Sequence, residues 1–167
     1  DKATQLFYAQ TQNKILFAIT GQTAAEIIIN RADATLPNMA LTSFQGLKVR
    51  KQDIYIAKNY LTEDEISELN ILVNMYLDYA ELQAERKIPM SMQDWAKRLD
   101  GFLEFNGNEL LTDAGKISHE EAKLHAETEF EKYRIIQDKL FESDFDKFMI
   151  DDYELGIGKK GGGRNGD

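Results

Sequence analysis

The chain has 167 residues, 43% of them hydrophobic, no cysteine and a formal net charge of −9. This length supports one well-cored domain and not two. The missing cysteines exclude disulfides, thiolate zinc sites and cysteine nucleophiles, and they fit a reducing, cytoplasmic setting. No apolar run approaches the roughly 18 residues of a membrane span, and no charged-then-apolar leader opens the chain, so a cytoplasmic protein with no membrane association is expected. A start at Asp1 without Met predicts an excised fragment or a processed product.

Charge is uneven along the chain. Residues 1–61 carry seven Lys/Arg against four acids, a balance of +3, and residues 62–167 carry 13 against 25, a balance of −12. Such asymmetry marks either an anionic partner at one end or simply solvated acidic helices elsewhere.

Taken in order, the predicted elements are helical. The first helix runs from Ala3 to Thr20 and stops at Gly21; the second runs from Thr23 to Ala32, ahead of the Leu36-Pro37-Asn38 turn. Residues 34–52, with Pro37 and Gly46, should be irregular, and Asp53 should cap a short helix through Tyr60. The long central helix spans Thr62 to Lys87. Its stripes Ile66/Leu69/Val73/Leu77 and Leu72/Met75/Tyr79/Leu82 predict that both sides are covered and that it forms the axis of the core. Pro89 separates it from a helix over Ser91–Phe105, and the last helix runs from Ser118 to about Phe141. Four capping boxes set these starts: Thr23 with Glu26, Thr62 with Glu65, Ser91 with Asp94, and Ser118 with Glu121. Strand alternation is nearly absent. The expectation is an all-α domain over residues 1–150, built around the central helix, with a flexible Gly-rich tail at 151–167.

Candidate site residues come from polar groups set into apolar helices. Gln12, Asn13 and Lys14 sweep about 200° of helix, so at least one faces the interior. They form either an amide network that fixes packing or a ligand or catalytic site. Glu26 has a full account as a cap. Arg31 and Asp33 are expected to pair with each other or with the central helix. Lys51, Lys58 and Asn59 join the set, as do Asp78 and Glu81 on a polar stripe of the central helix, where they could meet Lys14, Arg31, Lys51 or Lys58. Asp78 and Glu81 could also hold Mg²⁺ with a third carboxylate, a weak signal. His119 and His125 lie about 240° apart on a helix and do not make a zinc pair, so no metal or cofactor is expected. Phosphate-loop, nucleophile-elbow and dinucleotide motifs are missing, and Pro37 spoils the helix-turn-helix echo in TAAEI.

The segments QTQNKILFAITGQTAAEIIINRAD, PNMALTSF, VRKQDIYIAKNYL, LNILVNMYLDYAELQAERKIPMSMQDW and GKISHEEA closely resemble, collinearly, the C-terminal part of the bacterial virulence protein RhuM family. The match extends from Asp1 to about Lys147. Ala40 departs from it, standing where the family often has Gly. The resemblance implies a C-terminal half whose N-terminal, helix-turn-helix-like region is missing, with members found near restriction-modification or mobile-element genes and with no established activity. The expected function is an accessory, interaction or effector module of a DNA-associated system. Its partner would be another protein or its own N-terminal region, with weak nucleic-acid contact through Lys48, Arg50, Lys51 and Lys58. The alternative is a small all-α enzyme, a hydrolase or nucleotide-modifying effector, with a polar pocket around Asn13, Lys14, Lys58 and Asp78 and no identifiable catalytic residue.

Overall fold

In the computed structural model, backbone is described for residues 2–159, and side chains for these apart from 3, 4, 7, 8 and 150–159. Five α-helices carry the chain: α1 (Lys2–Thr20), α2 (Ala24–Arg31), α3 (Glu63–Glu85), α4 (Met92–Phe105) and α5 (His119–Lys159). No strand occurs among the described residues, so the fold is all-α.

All four capping boxes form. Thr23, Thr62 and Ser91 each accept from the amide three residues on, while the acid there accepts from the cap amide. Ser118 and Glu121 do the same at 3.1 and 2.8 Å. Each box satisfies two of the free donors at a helix start, which is why these boundaries were readable within a residue. Gly21, at φ +71°, closes α1 with its amide on the Phe17 carbonyl at 2.8 Å.

The predicted helix from Asp53 to Tyr60 is not continuous. Two 3₁₀ turns, Lys51–Asp53 and Ala57–Tyr60, stand in its place. Side chains take the carbonyls that an α-helix would offer to amides: Asn59 Nδ2 donates to the Asp53 carbonyl at 2.9 Å and the Tyr60 hydroxyl to that of Ile54 at 2.7 Å. The last helix overruns its predicted end at Phe141 and continues to Lys159, so the expected boundary at residue 150 falls inside it. Residues 160–167 of the expected tail lie outside the described residues.

Two hydrophobic cores flank α1. The first joins Leu16 to Ile27 and Ile28 of α2, to Met39, Val49, Ile54 and Tyr60 of the connection, and to Ala126 and Phe130 of α5. The second is smaller: Leu72 of α3 meets Leu99 and Leu103 of α4, backed by Ile15, Ala18 and Ile19 of α1. The central helix is therefore not the axis of the core. Only Leu72 and Gln83 of α3 are buried, and Leu77 is 57% exposed. Its two apolar stripes exceed what its neighbours cover.

The connection between α2 and α3 is irregular but tightly held. Asn38, Met39 and Ala40 all have positive φ, at 54°, 58° and 69°. Three successive L-residues in this region cost roughly 1–2 kcal/mol each. Full burial of Met39 and the Asn38 amide donating to the Tyr133 hydroxyl at 3.0 Å hold the turn in place. Ala40 occupies a conformation that glycine adopts without strain.

Candidate functional site

The polar residues of α1 separate along its faces. Asn13 turns toward α2, and its Oδ1 accepts from the Ala24 amide at 3.1 Å, adding a remote cap to the Thr23 box. Lys14 turns the other way and donates to Asp100 Oδ1 of α4 at 2.9 Å. Gln12 is exposed and shares a shallow groove of about 370 Å³ with Lys58, Leu69 and Val73.

Glu26 completes its capping box and also accepts from the Lys116 amide at 3.4 Å, drawing the 112–117 segment over the start of α2. There Gly115, at φ +86°, packs so closely that a Cβ would lie 2.7 Å from Thr23 Cγ2. Arg31 makes the strongest polar contact among the candidates. Its guanidinium pairs with both Glu65 oxygens, at 2.6 and 2.8 Å, and donates to the Tyr60 carbonyl at 2.9 Å. The guanidinium hydrogen bonds hold the Glu65 carboxyl at about 2, against an ordinary 4.5. The pairing of Arg31 with the central helix is thus found, and its pairing with Asp33 is not. Asp33 instead accepts from the Thr35 amide and hydroxyl, at 2.9 and 2.6 Å, an Asx turn that lowers its carboxyl pKa.

Asn59 is a backbone clamp, accepting the Thr42 amide at its carbonyl at 2.7 Å besides its bond to Asp53. Lys51, Lys58, Asp78 and Glu81 are exposed. Among the described residues Asp78 and Glu81 form no ion pair, and no three His, Asp or Glu side chains gather as a metal site would require. The expected convergence of Asn13, Lys14, Lys58 and Asp78 on one pocket does not occur. Asn13 and Lys14 tie α1 to two different helices, and Asp78 faces solvent.

Several tying residues had no local signal in the sequence. Gln137, 3% exposed, donates to the Val49 carbonyl at 2.9 Å and accepts its amide at 2.8 Å. His125 Nε2 bonds the Ala32 carbonyl at 2.9 Å, which gives this histidine a structural role. Between α3 and α4, Tyr76 packs against Trp95 and Phe102 with centroids 6.1 and 5.7 Å apart. Burial pushes the Tyr76 hydroxyl up to about 12, and it donates to the Trp95 carbonyl at 2.8 Å.

Open surface is concentrated on this α3–α4 pair and on the far half of α5. An apolar groove of about 530 Å³ runs past Ile15, Val73, Leu77, Met92 and Trp95. On α5, the buried stripe Ala122, Ala126, Phe130, Tyr133 and Gln137 continues with Phe141 and Phe148, beside Phe145, after the body of the domain has ended. These three phenylalanines are exposed. No helix among the described residues is long and apolar enough to cross a membrane.

The model of the virulence protein RhuM family matches residues 1–142, and the chain belongs to that family. Comparison with curated proteins and with solved structures gave no match.

Proposed function

We propose, from membership of the RhuM family, that this domain is an interaction module of a bacterial DNA-associated or mobile-element system, and not an enzyme. The observation that supports this reading is the use made of its polar residues. Asn13, Lys14, Glu26, Arg31, Asp33 and Asn59 are each engaged in holding a backbone or a neighbouring helix. A catalytic site needs such groups free and convergent. The exposed phenylalanines of α5 offer the contact surface instead, since apolar patches of this kind mark binding sites. Residues 138–154 carry seven acids and two bases, so the matching partner is a protein with a basic, amphipathic helix. A second copy of this chain would set like charges together. Nucleic-acid contact through Lys48, Arg50, Lys51 and Lys58 is the subordinate contribution, weak and salt-sensitive in a chain of charge −9.

Paired substitutions test this. Phe145→Ser with Phe148→Ser should abolish binding of a basic, amphipathic helical peptide while leaving the unfolding midpoint unchanged. Failure of the unsubstituted chain to bind such peptides, or binding that survives the pair, overturns the reading.

A further inference from the structure

A second opening lies on the α3–α4 pair, where the close of α3, the 86–91 connection and one face of α4 border about 680 Å³. That volume is in the range of small-ligand sites. Beside Ile88, Pro89, Met90 and the Asp94 carboxylate, its lining combines three kinds of group. Tyr79, Phe102 and Phe105 supply aromatic faces, Lys97 and Arg98 supply positive charge, and Gln83 supplies a carboxamide.

Two observations on this lining lack a structural explanation. Gln83 is 6% exposed, yet the hydrogen bond its side chain makes among the described residues is a 3.6 Å donation to the Met90 sulfur. A thioether is a weak acceptor, and Gln83 lines the cavity, so part of the bonding capacity of its amide is open to whatever occupies that space. Gly101 sits inside α4, where glycine costs about 1 kcal/mol relative to alanine. Packing does not require it, because a Cβ built at Gly101 has nothing within 4 Å. Gly101 is itself exposed, so its missing side chain keeps the floor of an open groove clear.

The charge of the segment is also inverted. Residues 86–98 hold Arg86, Lys87, Lys97 and Arg98 against Asp94 alone, a balance of +3 within a chain of −9. Lys97 and Arg98 form no ion pair among the described residues. Asp94 is occupied as the acid of the Ser91 capping box. Phe105, 90% exposed at the end of α4, stands at the rim as a flat apolar surface in water.

We propose that this cavity binds a nucleotide unit: a base stacked against Phe105 and Phe102, its edge hydrogen-bonded by Gln83, and its phosphate paired with Lys97 and Arg98. Stacking on an exposed aromatic beside cationic side chains is the physical basis of sequence-tolerant nucleotide binding. The buried amide adds a base-edge contact. The site is separate from the α5 face, and neither depends on the other.

Calorimetric titration of the full chain with AMP, GMP, CMP and dTMP, and separately with a twelve-residue single-stranded DNA, tests the proposal and distinguishes a free nucleotide from a strand. Saturable binding of at least one probe is expected. Arg98→Ala and Phe105→Ala should each weaken it about tenfold or more. Gly101→Leu should abolish it while raising or preserving the melting temperature, because leucine favours the helix and fills the floor. Absence of binding to every probe at millimolar concentration overturns the proposal. So does binding that Gly101→Leu and Phe105→Ala leave unchanged.

Discussion

The two sides of α1 use the same residue types in opposite ways. On the α2–α5 side, a long irregular connection is pinned between helices until its hydrophobic residues are almost wholly enclosed, and nearly every buried polar group has a backbone partner. On the α3–α4 side, three buried leucines and an aromatic cluster hold two helices together, leaving grooves on both flanks. Irregular structure is thus the enclosed part and regular helix the open part. The cause is hydrogen bonding: a helix satisfies its own backbone and can stand with one face in water, whereas a connection without regular bonds must find partners by packing.

The largest expected effect follows from that contrast. Ile27, fully enclosed between the connection and α5, should cost about 2 to 5 kcal/mol on truncation to alanine. Leu77, on the stripe whose periodicity places it in a core, should cost less than about 1 kcal/mol because more than half of it already meets solvent. Urea midpoints of the two variants measure the difference directly. Equal losses would mean that the α3 face is covered in solution.

Next in size is a contrast between two buried glutamines. Gln137→Leu strands the amide and carbonyl of Val49 in the interior, at roughly 1–3 kcal/mol for each group left unpaired. Gln83→Leu removes only a bond to sulfur and should be nearly neutral or stabilising. A large loss at Gln83 would assign it a structural role and remove its claim on a ligand.

Acid should separate the regions as well. The Glu65 carboxyl, held at about 2 by the Arg31 hydrogen bonds, lies below its ordinary 4.5. A depressed folded value means that ionised Glu65 favours the native state. Its contribution is therefore complete above about pH 4.5 and is lost as pH falls through about 2. The stability difference between the wild type and Glu65→Gln should be largest at neutral pH and close over that interval, as followed by urea midpoints at stepped pH. A difference that stays constant down to pH 2 would assign the contact to shape and not to charge.

These contrasts also show what the sequence could disclose. Capping boxes are local, so all four helix starts were legible from residues three apart. Burial was not, because the stripe through Leu69, Val73 and Leu77 records only that a face is apolar. How far a neighbour covers it depends on where α1 and α4 end. The partners of the candidate polar residues are hidden for the same reason. Asn13 reads as an unexplained amide until Ala24 folds back against it, and Tyr133 gives no local sign that it will meet Asn38, 95 residues earlier. Pro37 marked a turn in the connection, but not that three left-handed residues would follow it. Gly101 carries no local sign either, because glycine within a helix signals something only when its surroundings are known.

The smallest effect compares two helix ends built alike. At the end of α4, the Asn108 amide reaches the Leu103 carbonyl and the Gly107 amide that of Glu104, both at 2.9 Å, with Gly107 at φ +80°. At the end of α3, Ile88 reaches Gln83 at 3.2 Å and Lys87 reaches Ala84 at 3.0 Å, with Lys87 at φ +55°. Both are Schellman closures, and the turn residue in such a closure is left-handed whatever its side chain. Gly107 adopts that conformation freely; Lys87 holds its Cβ against the carbonyl at a cost of roughly 1–2 kcal/mol. Glycine at position 87 would remove this strain but would lose more backbone entropy on folding, about 0.5–1 kcal/mol. Lys87→Gly should therefore stabilise the domain by about 0.5–1 kcal/mol, with Gly107→Lys shifting stability the other way by a similar amount. Thermal unfolding of both variants reads the pair. A loss of stability in Lys87→Gly would show that the lysine side chain makes a favourable contact large enough to outweigh the strain of its backbone.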